Sequence, residues 1–98
     1  MSTSLFVIGE VARITLLLTN TTGAVVDPGA LRLKVRHPVT AVVTTYAYGG
    51  GVVIKDSIGN YHADVALPAA GQWAWRWESD APNAGATEGS LSVSPSIF

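Results

Sequence analysis

The segment of residues 56–78, DSIGNYHADVALPAAGQWAWRWE, constrains the fold more than any other part of the chain. Apolar residues share one face of its first half: Tyr61, Ala63, Val65 and Leu67. Aromatic residues share one face of its second half: Trp73, Trp75 and Trp77. Strict alternation is the pattern of half-buried strands, because successive side chains point to opposite faces. With turn residues between the halves, the segment predicts one β-hairpin.

The tryptophan face of the second strand is predicted to point inward. The other face carries Ala74, Arg76 and Glu78, so the tryptophan face is the apolar candidate to meet a core. Each buried tryptophan could remove about 200 Å² from water. We expect Trp77, at the strand end, to be the most exposed of the three. An outward stripe would instead form a platform for sugar rings.

The rest of the chain also reads as short strands, at residues 5–8, 11–19, 31–37, 40–48, 52–55 and 87–94. Turn signals recur about every 8–12 residues, which is typical of an all-β sandwich or barrel. We therefore predict one all-β domain over residues 1–98, an antiparallel β-sandwich of seven to eight strands with an extended tail at residues 94–98. The expected core residues are Leu16, Leu33, Val35, Tyr61, Trp73, Trp75 and Trp77.

Composition points to contacts with other chains. Only 13% of the 98 residues are charged and 48% are hydrophobic, whereas an average soluble domain has roughly 25% charged residues. A small domain cannot bury that much apolar surface, and exposed apolar patches mark interaction sites. We expect a homo-oligomer or many-copy assembly. The candidate interface residues are Leu5, Phe6, Leu17, Val43, Ile97 and Phe98.

The charge pattern argues against two classes of partner. A net charge of −1 gives no electrostatic case for nucleic acid, which needs clustered cations against phosphates. Arg32, Lys34 and Arg36 share one strand face, which we interpret as solvated or ion-paired.

No apolar run approaches the roughly 20 residues of a membrane span. The first residues lack a basic start, so we expect the mature chain to begin near Met1. Without cysteine, there is no disulfide.

No catalytic or cofactor site is predicted. Ser57, His62 and Asp64 lack the Gly-x-Ser-x-Gly context of a nucleophile, so we interpret His62 and Asp64 as a surface pair. The chain is not expected to be an enzyme.

Metal and phosphate sites are not predicted either. Oxygen ligands for calcium could come from Asp56, Asn60, Asp64 and Asp80, but residues 56–60 are more simply a turn. His37 and His62 make a poor zinc set. The glycines at 49–51 lack the lysine and helix of a phosphate loop.

Two local motifs resemble immunoglobulin-like domains. Asp56-x-x-Gly59-x-Tyr61-x-Ala63 resembles the tyrosine corner, in which a hydroxyl returns to the backbone. Ala63 stands where antibody domains have cysteine. The strand from Gly71 through Trp73, Trp75 and Trp77 resembles the closing strand of many bacterial immunoglobulin-like modules.

Over residues 20–94, the order of motifs resembles small immunoglobulin-like structural proteins of tailed bacteriophages and prophages. The ordered motifs are Val26-Asp27-Pro28, Leu31-x-Leu33-x-Val35-x-x-Pro38, Tyr46-x-Tyr48, Gly59-x-Tyr61-His62-Ala63-Asp64-Val65, Gly71-x-Trp73-x-Trp75-Arg76-Trp77 and Glu88-Gly89-Ser90. The resemblance implies a non-enzymatic virion component, made in the host cytoplasm, whose partners are capsid or tail proteins.

Three functions follow as hypotheses. The first is a capsid decoration or stabilising protein that acts by surface burial. The second is a head–tail or tail-associated protein of the same class. The third is a carbohydrate-binding or adhesion module that uses Tyr46, Tyr48 and Trp77.

Overall fold

The structure, a computed structural model, describes residues 3–80 and 85–95, with side chains from Phe6 onward. Its eight strands are β1 (Thr3–Val7), β2 (Val11–Leu17), β3 (Leu31–Arg36), β4 (Val43–Ala47), β5 (Val53–Ser57), β6 (Asn60–Ala66), β7 (Gly71–Ser79) and β8 (Gly85–Ser94). Within these ranges the chain forms no helix that could cross a membrane. The fold is all-β.

The strands form two sheets. One has five strands in the order β1-β8-β7-β3-β4, and the other has three in the order β2-β6-β5. The neighbours pair antiparallel except β1 and β8, which pair in parallel from Thr3↔Ser90 to Val7↔Ser94. The prediction of a purely antiparallel fold is therefore wrong at this edge. A pairing between the first and last strands is not restricted by a hairpin turn, so sequence spacing does not fix its direction.

One core lies between the two sheets. Alternate residues of β2 and β6 from one sheet, and of β3, β7 and β8 from the other, belong to the same buried cluster. Leu33, Val35 and Tyr61 are 0%, 3% and 4% exposed, and Leu16 is partly buried against them. The opposite residues of each strand face outward, as period-two alternation requires.

Strands β6 and β7 belong to different sheets, so the predicted hairpin of residues 56–78 is wrong. The hairpin is formed by β5 and β6, with Val53 paired to Ala63, and β7 pairs with β3 and β8. Leu67 still forms two backbone hydrogen bonds with the residues just before β2. Its carbonyl accepts from Gly9 N at 3.1 Å, and its N–H donates to Glu10 O at 3.0 Å. Pro68 cannot donate a backbone bond, and the chain then crosses to the second sheet. The crossing sets the tyrosine and tryptophan faces on opposite walls of the core.

The strand predicted at residues 40–48 is shorter than expected, because its first residues form a turn. His37 Nδ1 accepts backbone bonds from Val39 at 3.1 Å and Thr40 at 3.3 Å. Ala41 has a φ of 59°, in the left-handed region. Strand β4 therefore begins only at Val43.

Candidate functional site

The tryptophans of β7 line the space between the sheets. Trp73 and Trp77 are 5% and 1% exposed, and Trp75 is partly buried. The prediction that Trp77 is the most exposed of the three tryptophans is wrong, because Trp75 is the most exposed. Trp77 is buried, so it is not available to the sugar platform considered with Tyr46 and Tyr48. Of those two, Tyr46 packs against the core and Tyr48 is 50% exposed.

The indole N–H groups of the two buried tryptophans differ in their partners. Trp73 Nε1 donates to the Ala69 carbonyl at 3.0 Å, and the Trp73 ring lies 4.8 Å from the His37 ring. Trp77 Nε1 is buried and has no acceptor among the described residues. A buried donor without an acceptor costs about 1–3 kcal/mol. Trp77 is therefore a position where the described part of the chain leaves one polar group without a partner.

The hydroxyl of Tyr61 donates to a carboxylate, not to the backbone as the tyrosine-corner motif suggested. Asp27 Oδ1 accepts from Tyr61 Oη and from Gly59 N, each at 3.0 Å, and Asp27 Oδ2 accepts from Lys55 Nζ at 2.8 Å. The bond from Lys55, and next the bond from Gly59, lower the pKa of Asp27. Burial, and next the bond to Asp27, raise the pKa of Tyr61 to about 12. These bonds join the β2–β3 loop to the β5–β6 hairpin, which is a structural role.

The Ser57, His62 and Asp64 side chains bind three different partners. His62 Nδ1 lies 2.8 Å from Asp56 Oδ2, so the predicted pairing of His62 with Asp64 is wrong. Asp64 forms a two-bond pair with Arg13 at 2.9 and 3.1 Å. Ser57 Oγ accepts from Asn60 Nδ2 at 2.9 Å. This arrangement gives Ser57 no base, so it does not form a nucleophile–base pair.

The carboxylates considered for calcium are also separated. Asp56 pairs with His62 and Asp64 with Arg13 on the three-stranded sheet, whereas Asp80 pairs with Arg32 beside the five-stranded sheet at 3.2 Å. Across residues 3–80 and 85–95, no three His, Cys, Asp or Glu side chains cluster as metal ligands would.

The outer face of the five-stranded sheet carries an ion-pair network around Glu78. Glu78 lies 2.7 Å from Arg32, 3.2 Å from Lys34 and 2.7 Å from Arg76. The bond from Arg76, and next the bond from Lys34, lower the pKa of Glu78 to about 2. The cationic face predicted from β3 is thus largely ion-paired.

Arg36 lies beyond this network, beside Val43. It has no ion pair with any residue that the structure describes. In register, Arg36 is opposite Val43 on one side and Ala74 on the other. This end of the sheet face therefore combines a free cation with exposed apolar surface.

Exposed apolar side chains occur on both sheets. The most exposed belong to the β3–β4 turn, the ends of β2 and the β5–β6 turn: Val39 at 75%, Leu17 at 61%, and Val11, Val42 and Ile58 at 59% each. Val43, a predicted interface residue, is 51% exposed. Leu17 and Val43 lie on different sheets, so the structure does not bring them into one patch. Sequence reasoning missed Val39 and Val42, although the run of residues 38–43 is uncharged and rich in β-branched side chains.

The remaining predicted interface residues are less informative. Phe6 packs against the core and is only partly accessible. The side chain of Leu5, together with Ile97 and Phe98, lies outside the described residues.

A cleft of about 390 Å³ opens between the two sheets beside β2. Residues 15–19 line one side, and Trp75, Trp77 and residues 85–87 line the other. It exists because the three-stranded sheet ends at β2 while β8 continues past it. A second hollow of about 420 Å³ lies between β4 and the end of β6, where Val42, Tyr46 and Val65 meet Trp73. No local sequence signal predicts either hollow, since each depends on how the sheets overlap.

The chain matches no family model, and comparison with curated proteins finds no significant match.

Proposed function

We propose that this chain is an immunoglobulin-like β-sandwich and a non-enzymatic structural component of a tailed-phage virion. In its most direct form it is a capsid decoration or stabilising protein. It acts by burying surface against the capsid or against sister copies, and the proposal requires no cofactor.

The order of the strands supports the immunoglobulin-like part of the proposal. In such domains one sheet contains B, E and D in that order, and the other contains G, F, C and C′. The orders β2-β6-β5 and β8-β7-β3-β4 correspond to these when the strands are counted along the chain. In this correspondence Tyr61 lies on E, the sixth strand along the chain, and the tryptophans lie on F. The resemblance is therefore carried by topology and not by the tyrosine corner.

The observation that carries the functional proposal is the distribution of exposed apolar side chains. Val11, Leu17 and Ile54 are 59%, 61% and 43% exposed on the three-stranded sheet, and Val43 is 51% exposed on the other. Burying such exposed apolar side chains against a partner is favourable by about 25 cal/mol per Å², so each of them can contribute to an interface. A module in a lattice has neighbours on several sides and can use all of it.

The charged groups support binding by burial over catalysis. Arg13, Arg32, Lys34, Lys55 and Arg76 each pair with a carboxylate of the same domain. Their charges are thus already compensated when a neighbour covers them, which lowers the desolvation cost of an interface compared with unpaired charges.

The test is the composition of virus particles produced from the genome that carries this gene. We expect mass spectrometry of purified particles to find the chain in many copies, and cryo-electron microscopy to find it on the head surface. Particles made without the gene should assemble but lose their genome at a lower temperature. Absence of the chain from purified particles would refute the virion role. Density at the neck or tail would favour the head–tail or tail alternative.

A further inference from the structure

We propose that the cleft beside β2 receives residues 96–98 of a second copy of this chain, as an added strand on the open edge of β2. The inference extends the many-copy assembly proposed above and rests on it only in requiring that copies meet. It assigns a donor segment and an acceptor site.

The acceptor site begins with the backbone of β2. In the register with β6, Leu18 N donates to Gly59 O at 2.8 Å and Leu67 N donates to Glu10 O at 3.0 Å. Antiparallel pairs alternate between bonded and non-bonded, so even-numbered residues of β2 bond to β6. Odd-numbered residues, including Thr15 and Leu17, then direct their N–H and C=O groups to the other edge. Within the described ranges no strand pairs with that edge.

The site also has room for one strand. Among the described residues, β1 pairs with β8 from Ser90 to Ser94, and the cleft of about 390 Å³ includes residues 85–87 of β8. An added strand beside β2 would lie over this uncovered part. It would cover the cleft wall that Trp75 and the buried Trp77 form.

The side chains of the candidate segments identify the occupant of this site. Consecutive residues of a strand point to opposite faces, and this edge offers apolar contact on both. Trp75 lines the cleft on the inside, and Leu17, 61% exposed, lies on the outside. Ile97 and Phe98 are consecutive large apolar residues and would satisfy both faces. Residues 81–84, Ala-Pro-Asn-Ala, provide no large apolar side chain.

Geometry requires that the donor be a second copy. The chain leaves β8 after Ser94, at the end opposite residues 85–87. Eight residues of strand separate Thr87 from Pro95, about 26 Å at roughly 3.3 Å per residue. Residues 96–98 span at most about 10 Å and cannot reach the cleft of their own domain. A tail of one copy in the cleft of the next is a head-to-tail contact, which forms rings or open chains.

The experiment uses two complementary defects in the full chain. The tail variant carries Ile97→Ser with Phe98→Ser and keeps its cleft. The cleft variant carries Leu17→Lys, because a lysine on an edge strand opposes pairing, and keeps its tail. Thr87→Arg is a second cleft variant that fills the cleft without changing β2. Val39→Lys, 75% exposed in the β3–β4 turn, is the matched surface control.

Sedimentation velocity over a concentration series gives the first readout. We expect the wild type and Val39→Lys to self-associate, and the tail and cleft variants to be monomeric. An equimolar mixture of tail and cleft variants should form a two-copy complex and nothing larger. In ¹⁵N-labelled tail variant, the Trp77 indole N–H signal should shift when unlabelled cleft variant is added. Circular dichroism checks that each variant is folded.

Several results would overturn the proposal. These are a wild type that stays monomeric, a tail variant that still associates, or a mixture that forms no complex. Association lost in Leu17→Lys but kept in the tail variant would assign the cleft to a different occupant. In all these cases the virion role would still stand if purified particles contain the chain. If the tail docks in the cleft but particles lack the chain, only the virion role would be refuted.

Discussion

The contact between Trp75 and Gly89 shows how one residue can be required by another on the neighbouring strand. The two are paired across β7 and β8, and a Cβ on Gly89 would lie 2.2 Å from Cζ2 of Trp75. The indole therefore lies where any side chain at position 89 would be. This close approach gives Gly89 a packing role.

Gly89→Ala should therefore destabilise the fold. Overpacking of a filled site costs about 1–3 kcal/mol in the free energy of unfolding, and we expect a loss in that range by urea denaturation. Gly85→Ala is the control on the same strand, since among the described residues its Cβ would meet Ser79 Oγ alone, at 3.8 Å, and its effect should stay within about 0.5 kcal/mol. Equal effects of the two substitutions would show that Trp75 moves aside freely.

Burial along a strand follows the sequence at some residues and not at others. Leu33, Val35 and Tyr61 are buried where alternation places them, since each lies on the core face of its strand. Trp75 and Trp77 lie two residues apart on the same face of β7, yet only Trp77 is fully buried. The difference depends on where a three-stranded sheet ends above a five-stranded one, which a single strand does not encode.

At the scale of elements, alternation predicts strands but not their partners. β6 and β7 both have the pattern expected of hairpin arms and are joined by four residues, yet they lie in different sheets. Each has one apolar face, and facing each other across the core buries both faces. The parallel edge of β1 and β8 was likewise not predictable from spacing, because no short turn connects these strands. Ion pairs between strands could be predicted only as a class: the cationic face of β3 was expected to be solvated or ion-paired, and Glu78 of β7 was not identified as its partner.

The ion pairs around Glu78 predict acid sensitivity. The pKa of Glu78 is lowered to about 2 in the folded chain from an ordinary 4.5. Its contribution to stability is therefore complete above pH 4.5 and is lost as the pH falls toward 2. In urea denaturation at a series of pH values, we expect Glu78→Gln to be less stable than the wild type above pH 5 and equal to it near pH 2.

The comparison between the two proteins isolates Glu78, because other carboxylates such as Asp27 titrate in both. Glu88→Gln is the control, since Glu88 pairs only with Arg76 among the described residues and is 61% exposed in its side chain. Its difference from the wild type should be smaller at every pH. A difference for Glu78→Gln that does not change with pH would mean that Glu78 acts through packing instead of charge.

At the scale of the whole molecule, the two sheets set which surfaces can act together. Leu17 and Val43 were predicted as interface residues because they are apolar residues off the core face of the strand pattern, and both are exposed, but they lie on opposite sheets. Any single flat partner can cover only one of them. The cleft beside β2 is likewise a property of sheet overlap, which is why the sequence contains no motif for it.

The overlap of the sheets predicts a specific pattern of tryptophan fluorescence. Trp73 and Trp77 are 5% and 1% exposed, so native emission should be blue-shifted and acrylamide quenching weak. The quenching that remains should come from Trp75 and decrease in Trp75→Phe. In Trp77→Phe it should persist. Strong quenching in the wild type, with a shift on addition of glycans, would contradict the buried stripe and favour the sugar-binding alternative.

The parallel edge of β1 and β8 has a mechanical consequence. Residue 3 begins β1 and residue 94 ends β8, and the two strands run side by side in the same direction. A force that pulls these two points apart acts along both strands in opposite senses, so it loads their backbone bonds in shear. Bonds loaded in shear must break together, whereas bonds at a hairpin end can open one at a time. Tension transmitted through the two ends of the domain would therefore meet its main resistance at this edge.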